Sequence, residues 1–185
     1  MTSLTDNALM LQVKSGDLDK MALLFQRYHR QLYGFLYFQC GDRQSSEDMV
    51  QNVFLRMLVS RHTFTGQGEF VTWMYHLARN VFKDHLKKNN RSGGVVDITM
   101  YEEALADGIS PATEIEKKGE WRLLHEAINT LNPEDREILV LSRFHGMKYA
   151  DIAKIMNINL GVVKVRVYRV MNHLREKFSG IKEKV

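Results

Sequence analysis

Aromatic and basic side chains are interleaved along residues 64–91, a combination suited to holding unpaired nucleic acid. The aromatic members are Phe64, Phe70, Trp73, Tyr75 and Phe82, and the basic members are Arg79, Lys83, Lys87, Lys88 and Arg91. Aromatic rings can stack on exposed bases while cations follow the phosphate backbone. The glycine-containing loop at residues 63–69 could form a pocket for a base turned out of a duplex. Each aromatic residue, taken singly, could instead belong to the core, so both interpretations stay open.

Residues 149–169 have the spacing of a helix-turn-helix. Ala153 is small, as close approach of two helices requires, and Asn157 stands where the turn needs a left-handed residue. Asn159 can cap the second helix. That helix is predicted to face inward through Val163, Val167, Val170 and Leu174, and to present Leu160, Gly161, Lys164, Tyr168, Arg169 and Asn172 at its start and on its other faces. This arrangement is typical of a helix that contacts base edges and phosphates, although a plain helical hairpin with a solvated basic face stays open.

The net charge of +4 is distributed unevenly along the 185 residues. Residues 75–91 carry a net charge of +4 and residues 130–185 a net charge of +5, whereas residues 92–120 carry −5. Two basic segments therefore flank an acidic one, which favours a polyanionic partner. The acidic segment contains glycine and proline and shows little periodicity. We interpret it as a linker, with an ordinary solvated loop as the alternative.

Hydrophobic periodicity predicts helices throughout the N-terminal half. Apolar residues recur at three- and four-residue spacing in two segments, namely Phe25, Tyr28, Leu32, Phe35 and Leu36, then Met49, Val50, Val53, Phe54, Met57 and Leu58. Ser45 or Ser46 is predicted to cap the helix of the second segment. A longer helix is predicted from about Phe70 to Asn89.

The C-terminal half is also predicted to be helical. We expect helices at residues 120–130, from Asn132-Pro133 to Gly146, at 149–156 and from 160 to about 178. The predicted fold is therefore all-α, with two small helical domains joined by a flexible acidic linker. The expected boundaries are residues 1–92, 93–117 for the linker, and 118–185 for the helix-turn-helix domain.

Other classes of protein fit the sequence poorly. The single cysteine, Cys40, allows neither an internal disulfide nor a cysteine-based zinc cluster, and we interpret it as a half-buried apolar residue. The seven histidines show no metal-ligand spacing and no pairing with a nucleophile, so we expect no metal, no cofactor and no enzyme. No apolar run approaches the roughly 18 residues of a membrane span, and the N-terminus lacks the order of a signal peptide. We therefore expect a cytoplasmic protein without membrane insertion.

Three motifs, in this order, resemble those of bacterial sigma factors of the extracytoplasmic-function (ECF) group. They are Asp48–Arg56, then Phe70–Asn80 with Asp84, then the segment ending Val163–Arg169. The resemblance covers nearly the whole chain and implies a two-domain initiation factor. Such a factor binds core RNA polymerase, recognises the −10 and −35 elements of promoter DNA and assists melting. The resemblance also implies an anti-sigma factor as a partner and an acidic linker that threads toward the RNA channel of the polymerase.

The resemblance further implies roles for individual residues. The N-terminal domain would contact the clamp helices of core RNA polymerase through Asp48, Gln51, Asn52 and Arg56. It would hold the −10 element through Phe64, Phe70, Trp73, Arg79, Asn80, Lys83, Lys87 and Lys88. The C-terminal domain would bind the −35 element through Asn159, Leu160, Gly161, Lys164, Val165, Arg166, Tyr168 and Arg169.

Three positions depart from the family pattern. Val162 and Val165 stand where the family usually has threonine and serine, so two hydroxyl contacts to DNA are missing. Asn52 replaces the usual glutamate beside Gln51. The alternative function is an operator-binding regulator that uses the helix-turn-helix without polymerase. The block at residues 64–91 favours the sigma factor, because an operator-binding protein does not need it.

Overall fold

A computed structural model of the chain describes residues 4–89, 124 and 126–182, and every regular element within this part is a helix. The helices are α1 Asp6–Ser15, α2 Lys20–Cys40, α3 Arg43–Val59, α4 Phe70–Asn89, α5 Pro133–Leu139, α6 Tyr149–Met156 and α7 Leu160–Lys182. A 3-10 turn at Arg61–Thr63 follows α3, and a π-helical stretch at Val140–Phe144 continues α5. The expected all-α fold is confirmed, whereas the predicted linker at residues 93–117 lies outside the described residues.

Helices α1 to α4 form the N-terminal domain around a shared apolar core. The predicted inward residues Leu32, Phe35 and Leu36 of α2 are buried, as are Met49, Val50, Val53, Phe54 and Met57 of α3. Phe25 was predicted to be a core residue but is exposed. Its ring stacks on His29 of its own helix, with 4.9 Å between centroids, and lies 4.8 Å from the ring of Phe54. It therefore packs at the edge of the core.

The start of α3 differs from the prediction, because Asp42 is the N-cap instead of Ser45 or Ser46. The Asp42 carboxylate accepts a hydrogen bond from the Ser45 backbone N–H at 2.7 Å, so the helix begins at Arg43. Ser46 is buried, and its hydroxyl donates to the Asp42 carbonyl oxygen at 2.6 Å. Cys40 lies 3.1 Å from that hydroxyl, and burial raises the pKa of its thiol. Cys40 is therefore half-buried against the core as predicted, but its sulfur also contacts polar groups of Asp42 and Ser46.

Helices α5 to α7 form the C-terminal domain, in which α6 and α7 have the predicted helix-turn-helix geometry. Asn157 adopts the left-handed conformation, with φ 55° and ψ 50°. The Asn159 side-chain oxygen accepts a hydrogen bond from the Gly161 N–H at 2.7 Å at the start of α7. Asn132 caps α5 by accepting a hydrogen bond from the Asp135 N–H at 2.9 Å. The inward stripe of α7, which consists of Val163, Val167, Val170 and Leu174, is buried as predicted.

The two domains pack against each other. Helix α5 and the π-helical stretch lie against α2, and α6 lies against α4. The rings of Phe38 and Phe144 are 5.0 Å apart across this contact. His145 packs against Tyr75 and Phe35 of the N-terminal domain, with centroid distances of 5.4 and 6.5 Å. We call this packing of the domains the closed arrangement.

Candidate nucleic-acid interface

The loop that precedes α4 borders a cavity of about 260 Å³. The cavity is lined by Thr63, Phe64, Thr65, Gly68, Glu69, Thr72, Trp73 and His76 of the N-terminal domain, and by Lys154 and Ile155 of α6. The Trp73 indole N–H donates to the Thr63 hydroxyl at 3.3 Å. A cavity thus lies where the sequence predicts a pocket for an extruded base, and the binding of a base there stays a prediction.

Two aromatic residues that were predicted to hold bases are core residues. Phe70 and Phe64 are only 1% and 3% exposed, and their rings meet edge to face at 6.2 Å. Phe70 also packs on Tyr28, because the helical period turns the first residue of α4 inward together with Met74. The structure therefore assigns Phe70 to the core instead of the DNA surface, while Phe64 keeps an edge on the cavity. Trp73 is half-buried and lines the same cavity.

Helix α1 holds the loop through residues that the sequence pattern did not single out. The Asn7 side chain donates to the Gly68 carbonyl oxygen at 2.8 Å and accepts from the Phe70 N–H at 2.7 Å. The Lys14 ammonium donates to the carbonyl oxygen of Phe64, at the other end of the loop, at 2.6 Å. No local pattern could reveal these contacts, because the partners are 61 and 50 residues apart along the chain. Asn7 and Lys14 therefore position the wall of the cavity.

Removing the Asn7 side chain is expected to loosen this loop. Asn7→Ala loses both hydrogen bonds, and we expect the free energy of unfolding to fall by about 1–2 kcal/mol. Asn7→Asp keeps the acceptor for the Phe70 N–H but loses the donor to Gly68. Urea unfolding gives the stability, and hydrogen exchange of the amides at 65–70 gives the local opening. Unchanged exchange in both variants would show that Asn7 does not hold the loop.

A polar stripe runs along the outward side of α4. His76, Asn80, Lys83 and Lys87 follow one another at spacings of four, three and four, which places them on one face of the helix. Lys83 and Lys87 are exposed, as is Lys88 beside them. Asn80 is half-buried, with its amide nitrogen 3.5 Å from the His76 ring. The structure therefore brings together Asn80 and the three lysines of the predicted −10 site.

Arg79 does not share this outward face. Its guanidinium Nε–H donates to both carboxylate oxygens of Glu137, at 2.9 and 3.1 Å, and an Nη1–H donates to the Met156 carbonyl oxygen at 3.4 Å. The two ionic side chains are 15% and 10% exposed. A residue predicted to contact DNA is therefore held in the contact between the domains, and its cation is already paired.

Acidic residues at the start of α5 pair with arginines from both predicted DNA-binding helices. These residues, Glu134, Asp135 and Glu137, are called the acidic turn. Their partners are Arg79 of α4 for Glu137, and Arg166 and Arg169 of α7 for Glu134 and Asp135. The Arg169 guanidinium donates to both Asp135 carboxylate oxygens, at 3.0 and 2.9 Å. One short helix therefore neutralises three cations that the sequence assigns to DNA.

The carboxylates of the acidic turn are perturbed in opposite directions. The hydrogen bond from Arg166 holds the pKa of Glu134 below its ordinary value. Burial raises the pKa of Glu137, and the nearby Arg79 offsets only part of that rise. Keeping Glu137 ionised therefore costs more free energy than keeping Glu134 ionised, because desolvation opposes the charge of Glu137.

The outward face of α7 is opposite its buried stripe. Gly161, Val165, Tyr168 and Asn172 follow one another at spacings of four, three and four. The predicted −35 residues Asn159, Leu160, Gly161, Lys164, Val165, Tyr168 and Arg169 are all exposed, whereas Arg166 is partly buried beside Glu134. The helix therefore presents most of the predicted −35 residues on its solvent side.

The exposed face of α3 contains three of the four residues predicted to contact polymerase. Asp48, Gln51 and Asn52 are exposed, and the same face continues through Leu55 and Val59, which are 60% and 64% exposed. Sequence reasoning missed these two apolar residues. The available signal was their position on the polar side of an otherwise amphipathic helix.

Arg56, the fourth predicted polymerase contact, is turned toward α4. Its guanidinium donates to the Asp84 carboxylate at 2.8 Å and to the Asn52 side-chain oxygen at 3.2 Å. The hydrogen bond from Arg56 lowers the pKa of Asp84. Arg56 therefore also ties α3 to α4, which fixes the exposed face of α3 relative to the polar stripe of α4.

Two family models match the chain, one in each domain. Sigma-70 region 2 matches residues 24–92, and Sigma-70 region 4 matches residues 121–174. An ECF RNA polymerase sigma-E factor of Haemophilus influenzae is 30% identical over 186 residues, which cover 96% of this chain and 97% of the relative. The chain belongs to the ECF group of the sigma-70 family. This sigma factor is also 29% identical to the ECF sigma factor SigW of Bacillus subtilis, over 92% of this chain and 95% of SigW.

Solved structures confirm the fold of this sigma factor. CnrH, in complex with the cytosolic domain of CnrY, matches with a TM-score of 0.68 at 18% identity, over 95% of this chain and 97% of that chain. RpoE of Bartonella quintana, in complex with the anti-sigma factor NepR, matches with a TM-score of 0.63 at 22% identity, over 88% and 97%.

Family membership decides between the two functions predicted from the sequence. The protein is an alternative sigma factor that directs transcription initiation with core RNA polymerase at promoter DNA. Within the part of the chain that the structure describes, no helix is both long and apolar enough to cross a membrane. In the same part, no three His, Cys, Asp or Glu side chains are grouped as ligands for a metal ion.

Proposed function

We propose that this sigma factor binds core RNA polymerase, the −10 element and the −35 element through three separate surfaces. The exposed face of α3 binds the clamp helices of core RNA polymerase, the polar stripe of α4 with its cavity holds the opened −10 element, and the outward face of α7 binds the −35 element. The observation that carries this proposal is the α3 face, where Leu55 and Val59 leave apolar surface in water beside Asp48, Gln51 and Asn52. Such a surface favours a protein partner.

The proposed −10 surface combines exposed lysines with a cavity that has an aromatic ring in its wall. Lys83, Lys87 and Lys88 are placed to meet phosphates, and Asn80 lies on the same face. Trp73 lines the cavity, where its ring can stack on an extruded base. Promoter binding by Arg79 requires its release from Glu137.

On the −35 surface, Lys164 and Arg169 are positioned to contact phosphates on either side of the outward face of α7. Arg169 must exchange Asp135 for a phosphate, because both acceptors use the same guanidinium. We further propose that the domains extend over residues 1–92 and 118–185, with 93–117 as an anionic linker. We also propose that the protein acts in the cytoplasm, as a binding factor and not as an enzyme.

An anti-sigma factor is a proposed partner. The two solved structures named above are complexes, CnrH with the cytosolic domain of CnrY and RpoE with the anti-sigma factor NepR. The apolar surface of α3 and the exposed valines of α7 are available to such a protein.

Replacing Leu55 by aspartate is expected to weaken binding to core RNA polymerase by tenfold or more. The change removes apolar contact area and desolvates a new charge at the interface, which together amount to about 1.4 kcal/mol or more. Leu18→Asp is the matched control, since Leu18 is similarly exposed in the turn between α1 and α2. Affinity is measured by titrating fluorescently labelled sigma factor with core polymerase. Equal losses in the two variants would contradict the assignment of the α3 face.

A further inference from the structure

The outward face of α7 is more apolar than contact with phosphates requires. Val165, at its centre, is 65% exposed, and Val162 extends the apolar surface toward the start of α7. Neither valine is needed for packing, because Val163, Val167, Val170 and Leu174 already fill the inward side. Exposed β-branched residues are also poor helix formers compared with alanine or lysine. The two exposed valines therefore point to an apolar ligand surface.

The chemistry of DNA limits what a valine can recognise in the major groove. Its side chain has no donor or acceptor, so it cannot read the hydrogen-bonding edges of adenine, guanine or cytosine. The apolar group that a standard base pair presents there is the C5-methyl of thymine. Serine or threonine at these positions can bond to several bases, whereas valine restricts contact to this methyl.

The position of the valines on α7 suits such a contact. They lie in the first two turns of the second helix of the motif, the part that faces base edges in this class of protein. Lys164 and Arg169 lie on either side of this face, so phosphate contacts can hold the helix against the groove. Gly161 and Tyr168 continue the same face above and below Val165.

We propose that Val165, supported by Val162, determines −35 specificity by contacting the C5-methyl groups of thymines. This inference rests on the proposed binding of the −35 element by α7 and adds the base class that it selects. It predicts at least one thymine in the contacted part of the −35 element. It also predicts that the methyl group of that thymine, and not its Watson–Crick identity, is what the protein senses.

The test removes only the methyl group. Holoenzyme assembled from the full chain and core polymerase selects a promoter duplex from a library randomised over both elements. Each thymine of the selected −35 element is then replaced by uracil, and affinity is measured by competition. We expect about a fourfold loss at one or two positions, the effect of one buried methyl-sized group. Val165→Ala is expected to reduce the difference in affinity between the thymine and uracil duplexes, because the shorter side chain loses most of its contact with the methyl, and this identifies Val165 as the residue that senses it.

A control variant separates failure of this inference from failure of the proposed function. Lys164→Ala is expected to weaken binding to thymine and uracil duplexes by the same factor, since it removes a phosphate contact. If Lys164→Ala weakens binding and uracil has no effect, the methyl contact is wrong while −35 binding by α7 stands. If neither Lys164→Ala nor uracil alters binding, both the methyl contact and −35 binding by α7 are wrong. A loss of core polymerase binding in Val165→Ala would show that the valines contact protein and would overturn the inference.

Discussion

Replacing Glu137 by alanine is expected to separate the two domains and to strengthen binding to promoter DNA. The Glu137 carboxylate accepts both hydrogen bonds from the Nε–H of Arg79, and both side chains are largely buried where the domains meet. Removal of one member of a buried ion pair leaves the other charge desolvated, at a cost of about 3–5 kcal/mol. Separation of the domains rehydrates Arg79, so the cost appears as opening and not as unfolding.

We expect opening to be required, because with the proposed −10 and −35 surfaces the closed arrangement cannot contact both promoter elements. Arg79 of α4 and Arg169 of α7 both pair with carboxylates of α5, a helix of seven residues. The positions that give the −10 and −35 elements their names differ by about 25 base pairs, which is about 85 Å along a straight duplex at roughly 3.4 Å per base pair. We therefore expect the closed arrangement to lower the apparent affinity for DNA, and Glu137→Ala to reduce the population that adopts it.

The measurements are the radius of gyration in solution and the affinity of the full chain for a promoter duplex. Arg79→Ala is the informative comparison, since it is also expected to open the domains but removes a cation that we propose binds DNA. The charge exchange Arg79→Glu with Glu137→Arg is expected to restore the compact radius without restoring DNA affinity. A compact radius and unchanged affinity in Glu137→Ala would show that this pair does not hold the domains together.

The helices of the sigma factor were largely predictable because their boundaries are encoded locally. Helices α4, α6 and α7 begin at Phe70, Tyr149 and Leu160 as predicted, each after a glycine-containing loop or an asparagine turn. Asn157 was identifiable because few residues other than glycine and asparagine adopt a left-handed conformation at low cost. The start of α3 was misplaced because aspartate and serine are equally good caps and lie three residues apart there.

The candidate site was less predictable because it depends on contacts between distant parts of the chain. Arg79 has the residue type and position of a DNA-binding cation, and only the packing of the domains shows that Glu137, 58 residues later, is its partner. Phe70 belongs to the segment of interleaved aromatic and basic residues, yet its ring fills the core. Residue type identifies what a side chain can do, whereas its neighbours in space determine which of those options it uses.

Lowering the pH below 6.5 is expected to weaken the contact between the domains through His145. Its ring packs against Tyr75 and Phe35, and its Nε2 is buried without a hydrogen-bond partner among the described residues. Burial lowers the pKa of His145 from 6.5 to about 4, because the cation would be desolvated in the closed arrangement. The domain contact therefore favours the neutral ring.

The sign of the effect follows from this lowered pKa. In the open arrangement the ring is hydrated and has an ordinary pKa near 6.5, so protonation favours opening. The contribution of His145 to closure is complete above that value, is lost progressively as the pH falls, and levels off below about 4. The total loss is about 3 kcal/mol, since one unit of pKa corresponds to about 1.36 kcal/mol.

Glu137 is a second group of the same contact that is protonated as the pH falls. Burial raises its pKa, and its protonation removes the charge that pairs with Arg79. The test therefore compares the unsubstituted chain with His145→Phe, so that Glu137 is present in both proteins and its effect cancels in the comparison. The radius of gyration is followed from pH 7.5 to 4. Greater expansion on acidification in the first protein than in the second would assign the difference to His145, whereas parallel curves would exclude His145, because phenylalanine keeps the ring packing and removes only the titratable group.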